Sequence, residues 1–129
     1  MRIREYLTEE ITDGQLRDLE RYADKLFASL GLDVEFTRHF RERVNDVRNR
    51  GPITLEELAR LFRESYRKYG KRISNMSPKS EAVLNDMATN INLPFVIQWD
   101  RSAGGLDLVA KTIMRKKGFM SRNPKLSFA

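Results

Sequence analysis

The sequence predicts an α+β fold in which three N-terminal helices pack on a three- to four-stranded antiparallel β-meander. Two observations carry this prediction. Up to about residue 70, apolar residues recur at the three- and four-residue spacing of amphipathic helices. After the segment SNMSPKS they alternate with polar residues, and short turn segments separate the alternating runs. Helices followed by a run of strands are typical of the α+β class.

The segment TDGQLRDLERYADKLFASLG predicts the first helix, with Asp13 capping its start and Gly31 its end. LDVEF then reads as a short extended link or an edge strand. Thr37 is the expected cap of a second helix, RHFRERVNDV, which ends before Gly51. The apolar stripe of the first helix comprises Leu16, Leu19, Ala23, Leu26, Phe27 and Leu30.

ITLEELARLFRESYRKYG predicts the third helix most clearly. Thr54 and Glu57 have the spacing of a capping box, and Gly70 stands where a glycine commonly ends a helix. The face of this helix that we expect to be buried comprises Leu55, Leu58, Phe62, Ser65, Tyr66 and Tyr69.

Three segments, EAVLNDMAT, NLPFVIQWD and LDLVAKTIMRK, predict the strands, and KLSF is a candidate fourth. RSAGG between the second and third suits a hairpin turn. We expect the helices to cover one sheet face and to leave the other partly open. The residues predicted to alternate onto one face are Leu93, Phe95, Ile97 and Trp99 in one strand, and Leu108, Ala110, Thr112 and Met114 in the next.

The chain of 129 residues is predicted to hold a leader over residues 1–10 and a single domain over 11–129. It has no cysteine, which excludes disulfides, thiolate nucleophiles and sulfur-ligated metal centres. Its single histidine excludes a histidine-rich metal site, and no carboxylates have metal-ligand spacing, so no metal or cofactor is expected. No apolar run approaches the length of a membrane span, so no membrane partner is expected.

The formal net charge is +6, and it is unevenly distributed. Residues 1–35 hold nine acids and five bases, whereas residues 36–129 hold nine acids and nineteen bases. From residue 108 to residue 129 there are six bases and no acid. This distribution favours a surface that binds a polyanion, of which nucleic acid is the commonest, over the alternative of a merely solubilising surface.

The segment FTRHFRERVNDVRNRG holds the histidine among five arginines. His39 and Arg43 are four residues apart, so they are neighbours on a helix. The adjacent guanidinium disfavours the imidazolium, which leaves a neutral base beside a permanent cation. Transfer at a phosphodiester needs such a pair, although a half-buried histidine beside a solvated arginine is the structural alternative.

Further cations follow in the strand region. Lys111, Ile113 and Arg115 are predicted to share the open sheet face, where a nucleic-acid backbone would find phosphate partners. The other predicted nucleic-acid-binding residues are Arg38, Lys116, Lys117, Arg122 and Lys125. Four aromatic residues are candidates for stacking on bases. Tyr66 and Trp99 are expected in the core, Phe119 is expected at the surface, and Tyr69 is assigned to neither place.

The combination of HFRERV, ITLEEL and DLVAKTIMRKKGF resembles the RelE/barnase-like ribonuclease superfamily over residues 34–128. The resemblance implies a sheet that cradles RNA and metal-independent cleavage, in a family that includes phage-associated nucleases. It implies that His39 is the general base or acid, that Arg43 binds phosphate, and that Ser121 supplies a hydroxyl near the last strand. Lys111, Arg115 and Lys117 would hold the backbone and stabilise the transition state. The second histidine of many such ribonucleases is missing, so either a lysine or tyrosine replaces it or the fold binds RNA without cutting.

The leader MRIREYLTEE resembles the capsid-targeting sequences of internal head proteins of large tailed phages. Leu7-Thr8-Glu9 matches the Leu-x-Glu site of a prohead protease, with Leu7 and Glu9 as the recognised residues. This resemblance implies packaging in the virion interior, removal of the leader, and later delivery to the host cytoplasm. The alternative is the frayed start of a helix.

Three hypotheses follow from the sequence. The first is a phage-associated, metal-independent ribonuclease. The second is a non-enzymatic nucleic-acid-binding or virion protein on the same fold. The third is a protein-interaction module whose basic face meets an acidic partner.

Overall fold

The computed structural model describes residues 10–49, 51–102 and 104–129. Leu7 and Glu9, and with them the predicted leader site, lie outside the described residues. The helices are α1 (Asp13–Ala28), α2 (Arg38–Arg43) and α3 (Leu55–Ser74), with a 3-10 turn at Val47–Asn49. The strands are β1 (Leu32–Phe36), β2 (Glu81–Asp86), β3 (Ile91–Asp100), β4 (Gly105–Ala110), β5 (Met114–Arg115) and β6 (Lys125–Phe128).

The described strands form one sheet in the order β1-β4-β3-β2-β6, and β5 pairs with the beginning of β3. The α+β class and the antiparallel pairing of β2, β3 and β4 are confirmed. A purely antiparallel meander is wrong, because β1 joins β4 in parallel and β6 joins β2 in parallel. The segment LDVEF is therefore a full edge strand, and the sheet is mixed.

The hydrophobic core lies between the helices and one face of the sheet. Leu16, Leu19, Ala23 and Phe27 of α1 are buried there, in agreement with the predicted stripe. Trp99 is an exception to the prediction: 53% of it is exposed, because it lies at the end of β3 beside the hairpin turn.

The burial of two aromatic residues, Tyr66 and Phe119, differs from the prediction. Tyr66 is half-buried, and its ring meets that of Phe27 edge-on at 5.5 Å. Phe119 is also half-buried, where the sequence predicted an exposed ring.

Two of the predicted helix caps are confirmed and two positions need correction. The Thr37 hydroxyl accepts from the Phe40 N–H, and Thr54 with Glu57 forms the expected capping box. The N-cap of α1 is Thr12, not Asp13. Helix α3 does not end at Gly70 but continues for another turn to Ser74, and Gly70 is buried beside the Leu30 side chain.

Helix α2 is shorter than predicted, since it ends at Arg43 and the chain turns into the 3-10 segment. Its one fully buried aromatic residue, Phe40, packs on Phe36 with 4.4 Å between ring centroids. This short helix therefore rests on β1, and its end projects Arg43 toward β5.

The outer edge of β1 is closed by carboxylates of α1. The Val34 N–H donates to Asp24 Oδ1 at 2.5 Å, and the Phe36 N–H donates to Glu20 Oε2 at 2.7 Å. Burial raises the pKa of Asp24, although the hydrogen bond from Val34 opposes the shift. Because these two amides are already paired, they are not free to hydrogen-bond a further strand.

A chain of buried amides crosses the sheet face opposite the helices. Ser127 Oγ donates to Asn85 Oδ1 at 2.7 Å, and Asn85 Nδ2 donates to Asn92 Oδ1 at 2.9 Å. Asn92 Nδ2 then donates to the Lys116 carbonyl at 3.0 Å. The network ties the chain after β5 to the middle of the sheet, which fixes the backbone that carries Lys116.

Candidate functional site

A cleft of about 640 Å³ lies between the end of α2, the 3-10 turn, the turn before β3, and β5. Among the described residues, five cations and no carboxylate line it. The lining residues are Arg43, Arg48, Asn49, Asn90, Met114, Arg115, Lys116 and Lys117. Concentrated positive charge in a concave site attracts anions more strongly than the same charge on a flat surface.

Arg43 reaches the cleft from the last residue of α2, and only 22% of its side chain is exposed. Its Nε is buried and has no hydrogen-bond acceptor in the part of the chain that the structure describes. The Asp46 carboxylate lies 3.6 Å from that nitrogen, which is an ion pair but not a hydrogen bond. A buried donor left unpaired costs about 1–3 kcal/mol. Because this nitrogen is shielded from solvent, an anion in the cleft would not contact it without movement of the surrounding side chains.

Asp46 also holds Arg48 at the rim of the cleft. Its Oδ1 accepts from Arg48 Nε at 3.0 Å and from the Arg48 N–H at 2.8 Å, and its Oδ2 accepts from Nη2 at 2.9 Å. These hydrogen bonds hold the pKa of the Asp46 carboxyl well below its usual range. Arg48 is thus a positioned but largely exposed cation.

Arg115 forms one wall, and both terminal nitrogens of its guanidinium are hydrogen-bonded. Nη1 donates to Glu57 Oε2 at 3.1 Å and to the Thr89 carbonyl at 2.9 Å. Nη2 donates to Glu57 Oε1 at 2.8 Å and to the Pro52 carbonyl at 2.8 Å. Arg115 therefore fastens the start of α3 and the turn before β3 to β5.

Asn49 connects the two walls of the cleft and is buried, with 1% of it exposed. Its Nδ2 donates to the Arg43 carbonyl at 2.9 Å, and its Oδ1 accepts from the Arg115 N–H at 3.2 Å. This one side chain therefore bridges the end of α2 and strand β5.

Lys116 and Lys117 are exposed and make no ion pair within the described residues. The backbone of Lys116 is nevertheless fixed, because its N–H donates to the Asn90 carbonyl at 2.8 Å and its carbonyl accepts from Asn92. Two ammonium groups without an ion pair among the described residues therefore line the cleft beside Arg43, and the backbone of Lys116 is held by two hydrogen bonds.

The remaining predicted site residues lie outside the cleft. His39 is exposed on α2, one turn before Arg43, and is not part of the cleft lining. Lys111 is ion-paired with Glu81. Ile113 is fully buried, so the predicted exposed row of Lys111, Ile113 and Arg115 is wrong: β4 ends at Ala110 and the chain bends before β5.

The other predicted cations and the predicted hydroxyl make local contacts. Arg38 is exposed and pairs with Glu42 at 3.1 Å. Lys125 Nζ donates to the Phe119 carbonyl at 3.0 Å, and Ser121 Oγ accepts from the Asn123 N–H at 3.1 Å. Arg122 is exposed and makes no ion pair within the described residues.

Of the residues predicted from the sequence, the structure thus brings together Arg43, Arg115, Lys116 and Lys117. Arg48 and Asn49 were missed because they belong to a 3-10 turn that carries no periodic pattern. The dense run of arginines in FTRHFRERVNDVRNRG was the available signal for Arg48.

A second charged cluster lies at the opposite end of β3. Asp107 is 8% exposed, and burial together with Asp100, Asp33 and Glu35 raises its pKa to about 6. Because Asp100 ends β3 and β5 pairs with its beginning, the acidic cluster and the basic cleft occupy opposite ends of the sheet.

Within residues 10–49, 51–102 and 104–129, no group of histidine and carboxylate side chains is arranged to hold a metal ion. In the same ranges, no helix combines the length and apolarity of a membrane span. In comparisons with known proteins, no family model, no curated protein and no solved structure matches the chain.

Proposed function

We propose that this protein binds RNA by taking backbone phosphates into the basic cleft. The observation that carries the proposal is a concave cleft lined by five cations, two of which, Lys116 and Lys117, form no ion pair within the described residues. A phosphate oxygen there would accept from Arg43, while Lys116 and Lys117 would neutralise the remaining charge. The preference for RNA over DNA comes from the resemblance to the RelE/barnase-like superfamily.

Metal-independent cleavage of the bound RNA is the second candidate function. His39 precedes Arg43 by one helical turn, which is about 6 Å along the axis. Its exposed imidazole would meet a ribose 2′-hydroxyl if the strand whose phosphate lies at Arg43 runs along α2. General base catalysis requires such an approach.

The binding experiment is fluorescence anisotropy with a labelled RNA in the presence of a chelator. The test variant is Lys116→Gln/Lys117→Gln, and Lys71→Gln is the control, because Lys71 is exposed on α3 away from the cleft. We expect the double variant to weaken binding by about tenfold or more and to flatten its salt dependence by roughly 0.7 per lost contact in log–log slope. Equal affinities for the double variant, the control and the wild type would refute the proposal.

The cleavage experiment compares the wild type with His39→Ala on the same RNA, again with chelator. Products that disappear in the variant while RNA binding persists would place His39 in an active site. Intact RNA with the wild type would leave a binding protein without the nuclease activity.

We extend the proposal to a phage setting, in which the protein is packaged and the leader is cut after Glu9. Its support is the MRIREYLTEE sequence alone. Co-expression with a prohead protease, followed by mass determination, tests it: an unchanged mass would reject processing at this site.

A further inference from the structure

The segment 116–122, here called the basic loop, carries apolar side chains that the core does not take up. Met120 is 87% exposed and Phe119 is half-buried. The loop has a defined shape, because Gly118 turns the chain at a φ of 70° and the Phe119 carbonyl accepts from Lys125 Nζ. A structured loop therefore presents an apolar tip to its surroundings.

Cations flank this tip on both sides. Lys116 and Lys117 precede it and Arg122 follows it, and none of the three forms an ion pair within the described residues. Lys117 also lines the cleft, and Met120 is three residues further on, so their Cα atoms are at most about 11 Å apart. The partner of the basic loop must offer negative charge and an apolar surface within that distance.

We infer that the basic loop contacts the bases of a single-stranded nucleic acid whose phosphates occupy the cleft. The inference rests on the proposed function and narrows its substrate class. An unpaired base exposes both flat faces next to its phosphate, whereas a duplex hides those faces in the stack. Phe119 supplies a ring for stacking, and the Met120 thioether supplies a polarizable contact to an aromatic base.

An anionic lipid surface offers related chemistry but fits the site less well. The cleft is concave and the Arg43 guanidinium lies largely buried within it, so a single phosphate on a flexible strand reaches it more readily than a flat bilayer does. Two apolar side chains also bury little area compared with the face of a membrane-binding amphipathic helix.

The test is the variant Phe119→Ser/Met120→Ser. Three probes are compared by fluorescence anisotropy or by competition: a single-stranded RNA of about 12 nucleotides, an RNA duplex of the same composition, and inorganic polyphosphate, which has charge but no bases. We expect affinity for the single strand to fall by about tenfold. Affinities for the duplex and for polyphosphate should stay within about twofold of the wild type.

The failures of the two proposals differ. A wild-type protein that binds none of the three probes in a salt-dependent manner would overturn the proposed function. If the variant loses affinity equally for all three probes, or loses none, the inference about the loop is overturned. The proposal that the cleft binds phosphates would then still stand. Binding to phosphatidylglycerol vesicles that disappears in the variant, with unchanged RNA affinity, would also overturn it.

A second measurement reports on the loop without removing its apolar character. The sequence has one tryptophan, so Trp99→Phe combined with Met120→Trp places the only indole at the tip of the loop. We expect single-stranded RNA to quench its fluorescence by stacking, and polyphosphate to leave it unchanged at saturation. Unchanged fluorescence with saturating RNA would contradict the assignment.

Discussion

Arg115 and Glu57 form a bidentate ion pair, in which Nη1 donates to Oε2 at 3.1 Å and Nη2 donates to Oε1 at 2.8 Å. The residues are 58 positions apart in the chain, and their side chains are only 18% and 24% exposed. The pair connects a strand of two residues to the first turn of the longest described helix. It joins β5 to the start of α3, in addition to the hydrogen bond that the Arg115 N–H donates to Asn49.

Arg115→Met should lower the free energy of unfolding by about 2 kcal/mol, somewhat less than the cost of breaking a fully buried pair. The loss leaves the carbonyls of Pro52 and Thr89 without their Arg115 donor, while Glu57 retains the Thr54 N–H. Denaturant unfolding measures the effect. The control is Arg38→Met, which breaks an exposed pair with Glu42 and should cost less than about 0.5 kcal/mol.

The same pair predicts an acid dependence. Burial alone would raise the pKa of Glu57, but hydrogen bonds from Arg115 and Thr54 together hold it below its ordinary value of 4.5. A depressed carboxyl pKa contributes stability that is present above the unfolded pKa and is lost as the pH falls through the folded one. The free energy of unfolding should therefore fall less on acidification in Arg115→Met than in the wild type. An identical decrease at low pH in both proteins would contradict this prediction.

Asp107→Asn should stabilise the protein at pH 7.5 and have little effect at pH 4. The wild-type carboxyl has its pKa raised from 3.8 to about 6, so the folded state favours the protonated form. Stability is then lost as the pH rises from about 4 through 6, by on the order of 1–3 kcal/mol. Thermal unfolding across this range measures the effect.

The matched control for that change is Asp18→Asn, on the exposed face of α1. Its effect should stay within about 0.5 kcal/mol at every pH, because it breaks only an exposed pair with Arg21. A stability of Asp107→Asn that tracks the wild type across the whole range would show that the acidic cluster is not strained.

Asn49→Ala tests whether the two cleft walls depend on one side chain. The change removes the hydrogen bonds to the Arg43 carbonyl and from the Arg115 N–H, which should cost about 1–3 kcal/mol of stability. We also expect about tenfold weaker binding of polyphosphate under conditions where circular dichroism shows a folded protein. Unaltered polyphosphate affinity in the folded variant would show that the walls hold their spacing without Asn49.

Gly70→Ala should raise the free energy of unfolding by about 0.5 kcal/mol. Alanine in a helix interior gains about 0.5–1 kcal/mol over glycine. The added Cβ would lie 3.3 Å from Leu30 Cδ1, but that atom is the end of a flexible, half-buried side chain and has room to shift. Gly70→Val, with a larger branched side chain, should lower the free energy of unfolding instead. A lower melting temperature for Gly70→Ala would mean that the Leu30 side chain does not shift to make room for the added Cβ.

Local chemistry made much of this fold predictable from the sequence. Thr37 and Thr54 precede helical runs at capping distance, and the alternation in β3 determines which of its side chains face the core. Alternation assigns a face but not a neighbour, and it gave no sign that β1 would pair in parallel with β4, a strand about 70 residues away. The parallel pairings of β1 with β4 and of β6 with β2 are therefore visible only in the structure.

The site shows the same limit. The sequence pointed to Arg43 and to the lysines after β5, because charge density is visible in one dimension. It placed His39 beside Arg43 on helical spacing, but α2 ends at Arg43, whose side chain is largely buried while His39 stays exposed. Burial at the end of a short helix depends on the packing of β5, which no local pattern encodes.

The parallel pairing of β1 with β4 also bears on synthesis. Residues 32–36 leave the ribosome long before residues 106–110, so β1 waits for its neighbour while most of the chain is made. Pairings of such long sequence separation close slowly. In the folded protein, α1 packs on β1 and its carboxylates pair with the strand edge away from β4. Because Glu20 and Asp24 precede β1 in the chain, they are available to pair with that strand edge before β4 has been made.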